Sequence, residues 1–153
     1  MKLVYHYHAS TVVESGEEIE RLMSMTDPGL VHLLYDTGHA YYGGSDPLAL
    51  LRKHARRIAY IHLKDVRGEV LKRVREEQIP FVESVRQGVF TVPGDGSIDF
   101  APIFQELYRR GYEGWMIIEA EQDPLIAEPY AYAEKAIAYI RELAAALPTE
   151  EAG

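Results

Sequence analysis

The sequence predicts an α/β chain of parallel strands alternating with helices, amounting to half of a (β/α)8 TIM barrel with four strands inside and helices outside. Three observations predict it. Apolar runs at Leu30–His39 (LVHLLYDTGH), Ile58–Asp65 (IAYIHLKD) and Trp115–Asp123 (WMIIEAEQD) lack clean period-two alternation, as strands covered on both faces do. Each run stops at residues able to hold a metal or move a proton, and ligands of a parallel barrel gather at that end of its strands. Segments at helical spacing separate the runs, which implies right-handed crossovers and a parallel sheet. A doubly wound open sheet is the rival arrangement, but it collects its ligands at one switch point. A closed barrel takes about 250 residues and eight strands. This chain has 153.

Taken in order, Met1 is followed at once by a strand, KLVYHYH, with no helix ahead of it, an abrupt start that reads as a cut. A helix over Glu17–Met25 carries Ile19, Leu22 and Met23 on one face, with Glu14 or Ser15 at its start and Asp27-Pro28-Gly29 as its stop. It delivers the chain to the strand ending at Asp36. Past the Gly43-Gly44 turn, Asp46 caps a helix with Pro47 in its first turn and Leu48, Leu51 and Ala55 on its apolar face. Ile58–Leu63 is the third strand. Residues 66–90 are the least regular, with Val70–Glu77 a charged helix candidate and Phe81–Gln87 a second. The glycine turn in VPGDGSIDF leads to Ser97 or Asp99 as N-cap of a helix over Ala101–Arg110, which Gly111 ends. Gly114-Trp115 opens the fourth strand, and Pro129–Ala146 is a long, alanine-rich closing helix. Residues 1–147 therefore form one (β/α)4 domain, and residues 148–153, PTEEAG, a frayed tail.

Composition bounds the chemistry. A hydrophobic fraction of 47% with 26% charged residues fits a globular chain with a real core. The net charge of −8 opposes binding to nucleic acid or an anionic membrane, both of which need excess Lys and Arg. Without cysteine there is neither a disulfide framework nor a thiolate metal site, which fits a reducing cytoplasm. No apolar run is long enough to span a bilayer.

Four stretches carry a resemblance when read together: YHYHASTVV, then LLYDTGHAYYGGSDPLALLRKHARRIAYIHLKDVR, then GVFTVPGDGSIDF and GWMIIEAEQDP. They resemble the C-terminal half of the inosose dehydratase family, metal-dependent lyases of the xylose-isomerase-like barrel superfamily. The resemblance runs from Leu3 to about Leu143 and implies the last strands of a full barrel. In that superfamily one divalent ion is held by one side chain from each of four late strands. Carried over, this implies His6, Asp36, His62 and Glu119 as ligands, with His8 and Glu121 as alternatives to His6 and Glu119. The ion implied is manganese or cobalt, with zinc, iron or magnesium as substitutes, and a mixed imidazole and carboxylate shell suits such an ion. Tyr7 stands where the family leads one to expect a histidine, and Ala9-Ser10 where it leads one to expect Met-Gly, differences that bear on substrate contacts. The implied reaction is loss of water from 2-keto-myo-inositol, with His39, Lys64 and Glu121 as candidates for proton transfer and His8 and Arg67 for substrate binding. Relatives with the same ligand set isomerise or epimerise sugars, so that reaction class is the alternative, as is a metal-binding half-barrel without efficient catalysis.

Apart from the resemblance, Asp36 would serve equally as a turn or helix cap and His62 as a core histidine. Glu119 follows four apolar residues, and a buried carboxylate needs a cation or a strong partner. His32 and His54 read as structural or solvated, and the PGDG turn as a loop shaping the barrel mouth. Four strands cut from a barrel leave two open edges and an apolar inner face. The expected partner is therefore a second copy, two half-barrels closing one eight-stranded barrel about a two-fold axis, with a separate N-terminal half as the rival and a small polyol or keto-sugar as substrate.

Overall fold

The computed structural model describes residues 2–148. β1 (Leu3–His6) leads to α1 (Gly16–Met25), which begins at a capping box: Ser15 Oγ accepts from Glu18 N–H while the Glu18 carboxylate accepts from Ser15 N–H. β2 (Val31–Asp36) runs directly into α2 (Thr37–Tyr42), whose N-cap is the Asp36 carboxylate at the strand's own end. α3 (Pro47–His54) follows, capped by Asp46 with proline in its first turn. β3 (Ile58–Leu63) continues through β4 (Asp65–Val66) to α4 (Gly68–Glu76), α5 (Phe81–Arg86) and β5 (Phe90–Thr91). α6 (Ala101–Arg109), β6 (Met116–Ile118) and α7 (Pro129–Ala145) complete the described chain.

Four of the strands form one parallel sheet in the order β1-β2-β3-β6, while β4 and β5 pair antiparallel beside it. Leu33, Tyr35, Ile61 and Leu63 bury one face of this sheet in a core with Ile19 of α1, Leu51 of α3 and Ile103 of α6. The alternate residues Val4, His32 and Tyr60 are only partly covered. Both edges are open: Leu3 at the start of β1 is 67% exposed and Trp115, just before β6, is 74% exposed. Helices on one face, a half-covered opposite face and, among the described residues, one unpaired side on each edge strand are what half of a parallel barrel presents.

Several elements differ from the sequence expectation. α2 was not anticipated, because its cap is the residue that ends the strand. The β4-β5 pair is too short to carry periodicity. Neither Ser97 nor Asp99 occupies the N-cap of α6, which is Phe100 without a side-chain cap. Ser97 instead accepts from Gly68 N–H (3.0 Å), while Asp99 accepts from Ala101 N–H (3.1 Å). The fourth strand stops at Ile118, so period-two reasoning cannot be carried on to Glu121. Of the two readings of His54, structural or solvated, the fold agrees with the first: it is buried, 3.4 Å from Glu20. Of the expected tail, residues 149–153 lie outside the described residues.

Asp65 organises the glycine loop. Its fully buried carboxylate accepts from the N–H groups of Val66 (2.8 Å), Gly94 (3.3 Å), Gly96 (3.0 Å) and Ile98 (3.0 Å). Burial raises its pKa even against these donors. A Cβ on Gly96 would lie 2.3 Å from Asp65 Oδ1, so glycine is required there. Asp65→Ala strands buried donors, each costing about 1 kcal/mol or more when unpaired; urea unfolding is expected to show a loss of roughly 2–4 kcal/mol.

Candidate active site

The C-terminal ends of β1, β2, β3 and β6 converge on two adjoining polar clusters. In the first, His6, Asp36 and His62 bring one ligand atom each to within 4.8 Å of one another. His6 Nε2 lies 3.3 Å and His62 Nδ1 3.5 Å from the same atom, Asp36 Oδ2. The other Asp36 oxygen accepts from His39 N–H at 2.8 Å, which fixes the carboxylate's rotation. Glu119 joins from the residue after β6, its Oε2 3.0 Å from His62 Nδ1. The register puts Asp36 opposite His62, so these donors gather because neighbouring strands end at one level.

Electrostatics follow from this crowding. Burial raises the Asp36 carboxyl, but hydrogen bonds from His6 and His62 and the Lys64 charge outweigh it and hold the group well below the usual carboxylate range. Asp36 and then Glu119 lift His62 to about 9, and the hydrogen bond from His62 leads in holding Glu119 at about 2. Two imidazoles converging on one carboxylate, with a second carboxylate against one of the imidazoles, suit a divalent first-row ion. A carboxylate with no exposed surface demands cationic partners, and Asp36 is such a group.

The second cluster lies one rung further toward the mouth, where His8, His39 and Glu121 also converge within 4.8 Å. Lys64 stands between the clusters with its Nζ 2.5 Å from Glu121 Oε2, 2.9 Å from Glu119 Oε2 and 3.8 Å from Asp36 Oδ2. Burial lowers the lysine pKa, and the charges of Asp36, Glu121 and Glu119 more than restore it, so the ammonium persists. Burial pushes His39 down to about 3 and keeps the imidazole neutral. Its Nε2 lies 2.9 Å from Lys64 Nζ and 3.4 Å from Glu121 Oε2. Glu121 reaches this place through a left-handed backbone (φ 43°), a conformation unusual outside glycine and frequent at functional sites.

Of the residue pairs left open by the sequence, His6 lies against the Asp36 carboxylate and Glu119 against His62 and Lys64, while His8 and Glu121 lie beside His39. Arg67 sits further out and is engaged with the protein: it donates to Asp95 (2.7 Å), Gly88 O (2.8 Å) and Thr91 Oγ1 (3.0 Å). Phe81 and Phe90 were not singled out by the sequence. The His8 ring is 5.4 Å from Phe81, the His39 ring 5.1 Å from Phe90, and the Lys64 ammonium 5.0 Å above Phe90. They wall the second cluster with apolar surface.

Gly38 of the DTGH motif has a steric reason. A Cβ there would meet Lys64 Cγ at 2.6 Å and its Cβ and Cδ at 2.8 Å. Gly38→Ala is expected to displace the Lys64 stem and to cost about 1–3 kcal/mol, as overpacking does, read as a lowered midpoint of thermal unfolding.

Comparison with known proteins places the chain. Residues 1–143 match the family described as xylose isomerase-like TIM barrel. The inosose dehydratase of Geobacillus kaustophilus is 64% identical over 143 residues, covering 94% of this chain and 46% of that protein. That of Clostridium beijerinckii is 56% identical over 142 residues, covering 93% and 48%. The chain spans about half the length of these relatives and corresponds to their C-terminal half. Among solved structures, the probable 3-DHS dehydratase AsbF of Bacillus anthracis superposes with a TM-score of 0.67 at 16% identity, covering 94% of this chain and 49% of that one. The IOLI protein, solved with a bound zinc atom, superposes with a TM-score of 0.57 at 20% identity, covering 94% and 46%. Among the described residues no helix is long and apolar enough to cross a membrane.

Proposed function

The chain belongs to the xylose isomerase-like TIM barrel family, and on that footing we propose that it supplies a half-barrel with a site for metal-dependent dehydration of 2-keto-myo-inositol. One observation carries the reading: His6, Asp36 and His62 bring ligand atoms within 4.8 Å of one another at the ends of three adjacent strands, with Glu119 of the fourth against His62, beside a buried group of proton carriers. Similarity to inosose dehydratases across 93–94% of the chain supports the choice of substrate class.

His6, Asp36, His62 and Glu119 would hold the ion, manganese or cobalt in the first instance. When bound, a divalent ion supplies Lewis acidity toward the ketone and neighbouring hydroxyl oxygens of the substrate. The protein's own groups supply the proton transfers. Dehydration removes a proton from the carbon beside the ketone and then hydroxide from the next carbon, which leaves as water once protonated. Glu121 accepts hydrogen bonds at the mouth and suits the first transfer, while Lys64, purely a donor, suits protonation of the leaving hydroxyl. His39 bridges the two, and the Phe81 and Phe90 wall keeps bulk water from the exchange. His8 lines the same cluster and is placed to touch substrate.

The open edges need covering, and a second copy is the proposed partner. Light scattering is then expected to give twice the 17.4 kDa chain mass, whereas a stable monomer would leave closure to a separate N-terminal half. The decisive assay combines cobalt titration by calorimetry with turnover of 2-keto-myo-inositol followed by ultraviolet absorbance of the dione. Absence of cobalt binding would end the metal reading. Binding with conversion of ketoses but no dehydration would favour the isomerase or epimerase alternative. Binding without any turnover would leave a metal-binding half-barrel.

A further inference from the structure

Two hydroxyls hold neighbouring strand ends in the same manner. Backbone pairing of β1 with β2 ends at His6 opposite Leu34. Beyond that pair, the Tyr7 hydroxyl accepts from Asp36 N–H at 2.8 Å and donates to Asp36 C=O at 2.6 Å. Pairing of β2 with β3 ends at Asp36 opposite His62. Beyond it, the Thr37 hydroxyl accepts from Lys64 N–H at 3.0 Å and donates to Lys64 C=O at 2.6 Å. In both places the residue after the last rung grips the residue two beyond its partner. At the next strand no such device is needed, since Glu119 N–H donates to Leu63 C=O at 3.1 Å.

All four gripping and gripped residues, Tyr7, Asp36, Thr37 and Lys64, are fully buried, so water cannot replace a lost hydroxyl. An unpaired buried peptide N–H or C=O is costly, and the strand end would shift to find another partner. Asp36 and Lys64 are also the two residues whose side chains define the clusters. A tenth-scale shift of backbone at either one moves its charged group relative to every partner.

We infer that Tyr7 and Thr37 are positioning residues: Tyr7 aims the Asp36 carboxylate at the ion, and Thr37 aims the Lys64 ammonium at Glu121. The inference rests on the reading of Asp36 as an ion ligand. Tyr7→Phe and Thr37→Val keep the shape of each side chain and remove only the hydroxyl. Cobalt affinity is measured by calorimetry and by the visible spectrum of the bound ion, alongside the melting temperature of each metal-free variant. Both variants are expected to melt lower. Tyr7→Phe is expected to weaken cobalt by about 10–100-fold with an altered spectrum, as loss of a ligand's supporting bond does. Thr37→Val, which reaches the ligands only through Lys64 and a 3.4 Å contact to the His62 carbonyl, is expected to weaken cobalt at least about fivefold less than Tyr7→Phe and to leave the spectrum unaltered, the contrast that separates aiming from loosening.

Unchanged cobalt affinity and spectrum in Tyr7→Phe would overturn the inference, reducing the hydroxyl to a support of the fold. Equal weakening in both variants would overturn it too, since general loosening would then explain the loss. A parent protein that binds no cobalt would refute the ligand reading itself, a separate failure visible before any variant is made. Should Tyr7→Phe not fold alone, unfolding midpoints of parent and variant across a cobalt series report the same affinities by mass action. Parallel shifts would again overturn the inference.

Discussion

Asp36→Asn is expected to weaken divalent-ion binding by more than about 100-fold, beyond the 10–100-fold typical for losing a supporting bond, because it removes a ligand itself. The amide keeps the volume and can still accept from His39 N–H, so the cap of α2 survives. What disappears is the anionic charge on which both imidazoles converge. Calorimetry with cobalt and manganese measures the loss directly. Retention of parental affinity would show that Asp36 is a cap and nothing more, and the proposed ligand set would fall.

The second large effect belongs to Lys64→Met. The thioether chain fills the channel past Gly38 and over Phe90 but brings no charge. Glu121 then loses its ammonium partner, and Asp36 and Glu119 are left to share His62 alone. Removing one partner from a buried charge group costs about 3–5 kcal/mol, since the remaining charge stays buried and uncompensated. Glu119 and Glu121 are partly exposed, so a loss near the lower end is expected in urea unfolding of the metal-free protein. Added divalent ion should return part of that stability by binding the folded state alone. A loss below about 1 kcal/mol would mean that the carboxylates separate into solvent, and the picture of Lys64 as the bridge between clusters would fail.

How far the sequence could be read depended on whether a feature was local. The β2 run and its polar end were legible because a buried strand is continuous and apolar and stops where chemistry begins. The Asp46-Pro47 start of α3 and the Ser15 start of α1 were legible because capping is written in adjacent residues. The half-barrel itself was legible from repeated strand ends and from length. The N-cap of α6 was legible only in part: Asp99 does accept from the first amide of the helix, at Ala101, from one residue further out than the cap, while Ser97 is turned to the distant Gly68. In the site, His6 against His8 and Glu119 against Glu121 could not be separated by spacing. Two residues of spacing imply one shared face only while a strand continues, and β1 ends at His6 and β6 at Ile118, before the second member of each pair. The position of Glu121 depends on a left-handed backbone that no side chain announces. Tyr7 stood out only as a departure from a motif, and Thr37 only as a member of one. Their work is set by where backbone pairing stops, which is a property of three dimensions.

The loop pinned by Asp65 has a bearing on motion at the mouth. Written as PGDGS, it has the composition of a mobile tip, yet the amides of Gly94, Gly96 and Ile98 point at one buried carboxylate. In heavy water those amides should exchange on the timescale of sheet amides, because releasing them requires a charged group to open with them. Any segment that admits and releases a ligand must then lie elsewhere on the rim. The stretch holding Leu125 and Ile126, at 93% and 77% exposure, bonds only to the neighbouring, half-buried Asp123 among its described backbone contacts and would open first.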